Sequence, residues 1–358
     1  MKPTERLHGL GQSLWLDNIT RDLLTSGTLQ GYIDELSITG LTSNPSIFDH
    51  AITHSKAYDQ EIRRHLEASK TEEAMFFELA IQDLTTAADM LAPIHKRTAG
   101  VDGWVSLEVS PLLAHDTGKT VAQARALHAK ADRPNLFIKI PGTPEGLPAI
   151  EEAIFTGVPI NVTLLFSRDQ YVLAADAYVR GLERRVAAGL DPDVRSVASV
   201  FVSRWDRAVL NKVPTELKNR VGIAAAQQSY KAYRDLLDSD RWQRLAGWGA
   251  RPQRLLFAST STKDPQASDV LYVGALAAPN TINTMPEQTL LAFGNHGAAD
   301  QAITRDGGDA EQVLAATARA GVDIGALARQ LQDEGTSGFV ASWKDLLSAV
   351  EAKGKALT

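Results

Sequence analysis

The chain alternates eight times between a short apolar run and a longer stretch, most of them of helical spacing. The runs lie at 13–17, 38–44, 103–110, 135–140, 158–166, 196–202, 254–260 and 280–285. Apolar runs of this length without helical spacing read as strands buried on both faces, which is how parallel sheets look in sequence. Pro45, Pro111, Pro141-Gly142 and Pro286 end four of them, because proline removes a ladder donor and glycine permits a turn. Helical patterns occupy 20–31 (stopping at Gly31), 45–95, 117–130, 144–155, 168–188 and 223–245. The 45–95 stretch is long enough for several helices, whereas 223–245 reads as one. Parallel strands need right-handed crossovers. Eight such units in 358 residues favour a closed (β/α)8 TIM barrel over an open doubly wound sheet. One domain over 1–358 is expected, with helical additions at about 45–95 and 308–358.

Composition narrows the function. Hydrophobic residues make up 44% and charged ones 22%, with a formal net charge of −6, as in an ordinary globular enzyme. No basic run suggests a nucleic-acid partner. With no cysteine, disulfides, thiolate nucleophiles and Cys-based metal sites are excluded. No secretory leader or membrane-length apolar run is visible, so a cytoplasmic protein is expected. The eight histidines are scattered, and only His50 and His54 have helical ligand spacing. They lack the acid of the known zinc helix motifs and read as a surface pair. Neither metal nor cofactor is expected.

In a barrel of this type the chemistry gathers at the C-terminal ends of the strands. Polar residues interrupt or follow the apolar runs there: Asp17, Asn44, Glu108, Lys139, Asn161, Thr163, Ser199, Arg204 and Ser259. The most telling is Lys139, inside Leu136-Phe137-Ile138-Lys139-Ile140. A lone ammonium in a dry interior finds partners or loses its proton, and a neutral lysine amine attacks carbonyls. A snorkelling lysine at a strand end is the plainer account. The convergence of seven strand ends, bringing two acids, amides and hydroxyls, favours a Schiff-base site. Asp17 or Glu108 would move protons on the substrate. Asn44, Asn161 and Ser199 would bind hydroxyls, and Arg204 would clamp a phosphate. Each has a simpler role: a helix cap for Asp17, turn chemistry for Asn44, a surface ion pair for Arg204, a β-branched strand residue for Thr163.

These residues resemble the transaldolase family. The likeness rests on Thr42-Ser43-Asn44-Pro45-Ser46, on Ile138-Lys139-Ile140-Pro141-Gly142-Thr143 with Gly146, and on Asn161-Val162-Thr163-Leu164-Leu165-Phe166-Ser167. It runs from about Trp15 to the end and is closest to the longer bacterial branch. The resemblance implies a metal-free, class I enzyme of the pentose phosphate pathway. Its reaction moves a dihydroxyacetone unit reversibly from sedoheptulose 7-phosphate to glyceraldehyde 3-phosphate. It also implies roles: Lys139 as Schiff-base lysine, Asp17 as acid/base, and Glu108 and Thr163 holding a proton-transferring water. Asn44 and Asn161 would hold the dihydroxyacetone moiety, with Ser199, Arg204 and Ser259 at substrate and phosphate positions. Ser261 stands where other branches carry a second phosphate-binding arginine, and Lys263 would replace it if its loop folds back. Sugar-phosphate substrates and a monomer or homodimer are expected. The nearest rival is a fructose 6-phosphate aldolase on the same scaffold, which would release free dihydroxyacetone. Glu108 and Phe201 lean towards the transferase.

Overall fold

The computed structural model describes residues 1–68, 70–299 and 301–357. Ser69 and Thr358, which belong to the two expected helical additions, lie outside the described residues. Eight strands form a closed barrel in chain order: β1 (Gln12–Asp17), β2 (Ile38–Thr42), β3 (Trp104–Glu108), β4 (Leu136–Pro141), β5 (Ile160–Leu165), β6 (Ser196–Phe201), β7 (Gln253–Ala258) and β8 (Thr281–Met285). All neighbours are parallel, and β8 closes on β1 with Trp15 opposite Thr284.

The two-residue period of a strand sorts side chains between barrel interior and helical shell. Leu14, Leu16, Leu107, Ile138, Ile140 and Val162 join the outer core against the helices. Trp15, Trp104, Phe137, Val197, Leu256 and Ile282 meet inside the barrel. The Trp104 and Phe137 rings stack with centroids 4.0 Å apart, and Trp15 lies 6.3 Å from Phe137. Interior volume is limited, so a tryptophan needs a small partner. Gly40, opposite Trp15 in register, supplies it: a Cβ there would fall 2.5 Å from the indole ring. Burying each large ring contributes a few kcal/mol, and the resulting apolar floor supports the polar layer above. Two residues further along their strands, the same inward direction gives Asp17, Lys139 and Ser199.

Several helix limits differ from those the pattern suggests. The 20–31 stretch divides into Arg21–Thr25 and Thr28–Leu36. Gly27, at φ +85°, makes the break, and the second helix runs through Gly31. The 223–245 stretch is two helices, Val221–Asp238 and Asp240–Gly247. Ser239 separates them, its hydroxyl accepting from the Trp242 N–H at 3.2 Å, a cap that outcompetes helix continuation. The 45–95 stretch comprises Pro45–His54, Asp59–Glu67 and Glu72–Arg97. The tail holds Ala310–Arg319 and a helix of 34 residues, Ile324–Leu357. Trp343 of this tail helix packs its ring 5.0 Å from Phe76 and 5.5 Å from Phe77.

Candidate active site

Register builds the centre of the site. Glu108 lies opposite Lys139, and Lys139 opposite Asn161. Lys139 is buried, 5% exposed. Its Nζ donates to the Ser43 carbonyl at 2.8 Å and stands 3.6 Å from Glu108 Oε1. Both Glu108 carboxylate oxygens are buried without a hydrogen-bond partner. Burial raises the Glu108 pKa to about 7; Lys139 opposes the rise and Asp17 adds to it. Burial also raises Asp17, against the pull of Lys139 and Thr42. Two carboxyls held above their ordinary range and coupled to one lysine are suited to proton transfer, and Glu108 titrates near neutrality.

Asp17 Oδ1 accepts from Thr42 Oγ1 at 2.8 Å, and that hydroxyl lies 2.6 Å from Thr284 Oγ1. The neighbouring helix is capped by Thr20, which accepts from the Leu23 N–H at 3.1 Å, so capping does not occupy Asp17. Asn161 is completely buried and gripped at both ends. Its Nδ2 donates to Ser106 Oγ at 3.1 Å, and Ser199 Oγ donates to its Oδ1 at 2.7 Å. Thr163 Oγ1 is buried with no partner, which an ordinary strand threonine avoids by bonding a carbonyl. Asn44 does cap the Pro45–His54 helix, its Oδ1 accepting from the Ile47 N–H at 3.2 Å and from Ser46 Oγ at 2.6 Å. It lines the cavity as well.

That cavity, about 430 Å³, opens at the C-terminal end of the strands. Asp17, Asn44, Lys139, Thr163, Ser199, Arg204, Ser259 and Lys263 all line it; Glu108 and Asn161 sit just beneath. Arg204 is the second residue of the short Ser203–Val209 helix after β6. Its guanidinium lies over the Phe201 ring at 5.3 Å, a favourable cation–π placement. Burial lowers its pKa, with Glu334 opposing. Ser259, at φ +56°, has its hydroxyl 2.9 Å from Ser203 Oγ. In the loop after β7, Lys263 Nζ donates to Ser261 Oγ at 2.9 Å, and both residues line the cavity. Arg204 and Lys263 add two cations to the lining of the cavity.

Sequence reasoning missed Thr42, Thr284, Phe339 and Ser342 as cavity residues, and Ser106 behind Asn161. The threonines and Ser106 carry no signal, since small hydroxyls are common in strands. Phe339 and Ser342 belong to the tail helix, to which the sequence assigned no chemistry. His50 and His54 are an exposed stacked pair, ring centroids 4.3 Å apart. Among the described residues no group of three or more histidines and acids could hold a metal ion, and no helix is long and apolar enough to cross a membrane.

Fold and site together define a (β/α)8 enzyme scaffold with a buried lysine and two acids at the C-terminal mouth. A family model described as transaldolase/fructose-6-phosphate aldolase matches residues 14–350. Proteins named transaldolase from Parafrankia sp. and Thermobifida fusca are each 45% identical, the first over 98% of this chain and 97% of its own length, the second over 97% of each. One of the same name from Thiobacillus denitrificans is 44% identical over 98% of this chain and all of its own length. The chain belongs to the transaldolase/fructose-6-phosphate aldolase family.

Proposed function

We propose that this chain is a transaldolase, transferring a dihydroxyacetone unit between sugar phosphates through a Schiff base on Lys139. It would act as one barrel unit in the cytoplasm, on the non-oxidative pentose phosphate interconversions. The observation that carries the reading is Lys139 itself: a buried amine between the Ser43 carbonyl and Glu108, open to a cavity that Arg204 and Lys263 also line. The amine adds to the ketose carbonyl, and loss of water gives a protonated imine. That imine draws electrons from the adjacent carbon–carbon bond as Asp17 takes the proton of the hydroxyl beyond it. The aldehyde product leaves. The enamine left on Lys139 then adds to the acceptor aldehyde, Asp17 returns the proton, and water releases the new ketose. The unpartnered oxygens of Glu108 and Thr163 support a role in holding the water that enters and leaves. Asn44, Asn161 and Ser199 bind the dihydroxyacetone hydroxyls; Arg204, Ser259 and Lys263 take the phosphate.

The test is glyceraldehyde 3-phosphate release from fructose 6-phosphate, with and without erythrose 4-phosphate. Release that requires the acceptor is the expected result. Release without it identifies the aldolase activity of the same family and refutes the transfer reading. Borohydride with fructose 6-phosphate should leave a reduced adduct on Lys139 that is absent from Lys139→Ala. An adduct persisting in that variant would remove the mechanism.

A further inference from the structure

The tail helix reaches the catalytic strands through Gln332. This side chain is buried, 7% exposed. Its Nε2 donates to the Gly142 carbonyl at 2.9 Å and to the Leu164 carbonyl at 3.0 Å. Both partners are acceptors only, so the amide orientation is fixed and both of its protons are used. Gly142 follows β4, three residues after Lys139. Leu164 follows Thr163 and is itself unusual: it has φ +59° in a strand whose pairing with β6 shifts register between Val162 and Leu165. One extra residue there is a β-bulge, a device that re-aims side chains next to active sites. A buried leucine in the left-handed region persists only where its surroundings hold it. One turn on, Gly335 leaves room for the bulge, since a Cβ there would fall 2.9 Å from Leu164 Cδ2 and 3.2 Å from Arg204 Nη1. Gln332, Gly335, Phe339 and Ser342 follow at spacings of three, four and three, a single stripe of the helix, and the last two line the cavity.

We propose that Gln332 is a positioning residue for the proton-transfer step, locking the bulged end of β5 so that the Thr163 hydroxyl stays aimed at the space beside Lys139. This rests on the Schiff-base reading above. Gln332 touches no substrate. It acts through Leu164 and Gly142, so its loss should slow turnover without weakening binding.

The experiment is a double-mutant cycle on the full chain, in the fructose 6-phosphate and erythrose 4-phosphate assay. Gln332→Met keeps length and loses both donors. Its kcat should fall about tenfold with KM for the ketose within twofold, and borohydride should still trap the adduct on Lys139 to the parental extent. Gln332→Lys retains a donor and should recover at least a third of parental kcat. If Gln332 acts through Thr163, the Gln332→Met/Thr163→Val double variant is no slower than Thr163→Val alone. Parental kcat in Gln332→Met, or losses that multiply in the double variant, would overturn the proposal. Should Gln332→Met not fold, a Gln332→Lys variant that folds but stays tenfold slow does the same. A parent without transfer activity would sink the functional reading itself.

Discussion

Glu108 is the residue at which three influences on one proton can be weighed. Burial alone would keep it neutral, Asp17 reinforces that, and the nearby lysine works against both. The outcome, about 7, makes Glu108 protonated in acid and ionised in mild base. If its carboxylate holds and activates water, kcat/KM should rise with pH through about 7 and level off. Glu108→Gln should lose that limb and about 10²–10³ in kcat, within the range for one acid–base group. Stability should move the other way. The folded protein binds this proton more tightly than the unfolded chain, so the contribution is present at low pH and lost as pH rises from about 4.5 to 7. Thermal unfolding of parent and Glu108→Gln across that window shows whether the variant's profile is flatter. Glu108 and Lys139 were visible in sequence because a charge within an apolar run is rarely accidental. Ser106 was invisible, since nothing local separates a serine that grips Asn161 from one that merely fills a strand.

Among the elements, strands were more legible than helix ends. Each strand is a short apolar run closed by proline, glycine or a polar residue, and register then follows from the shared inward face. Helix ends depend on remote partners. The Val221–Asp238 helix begins where Asp206, on the helix that carries Arg204, accepts from the Val221 N–H at 3.0 Å and the Gly222 N–H at 3.1 Å. Tyr272 adds a third donor at 3.0 Å. A buried carboxyl at a helix N-terminus with three donors joins the elements after β6 and β7 into one support beneath Arg204. Asp206→Ala should cost about 2–4 kcal/mol in urea unfolding, since three donors lose their acceptor. It should also raise KM for fructose 6-phosphate several-fold as Arg204 loosens. Unchanged KM with reduced stability would confine Asp206 to folding.

At the scale of the whole molecule, the least legible feature is that the end of the chain completes a site begun at residue 17. Gln332 meets partners 190 and 168 residues away, and no pattern within a helix announces such contacts. The far end of the same helix is fastened too. Lys353 Nζ donates to the Ile52 carbonyl at 2.6 Å and to the Ser55 carbonyl, and pairs with Asp59 at 3.0 Å. These carbonyls end the Pro45–His54 helix, where a cation is favoured by the helix dipole. The other end of that helix is Asn44, in the cavity. One helix therefore connects a clamp on the tail helix to Asn44, while the clamped helix carries Phe339 and Ser342, which line the same cavity. Charge-assisted hydrogen bonds of this kind contribute roughly 1.5–3 kcal/mol. Lys353→Met, which keeps the apolar stem, should lower unfolding free energy by about that amount. It should raise KM for the ketose phosphate two- to fivefold at nearly unchanged kcat, measured in the acceptor-dependent assay. The opposite split, with kcat down and KM constant, is the one assigned to Gln332. Finding both splits as stated would separate the two contributions of one helix: holding the walls at one end, and aiming the proton-transfer residues at the other.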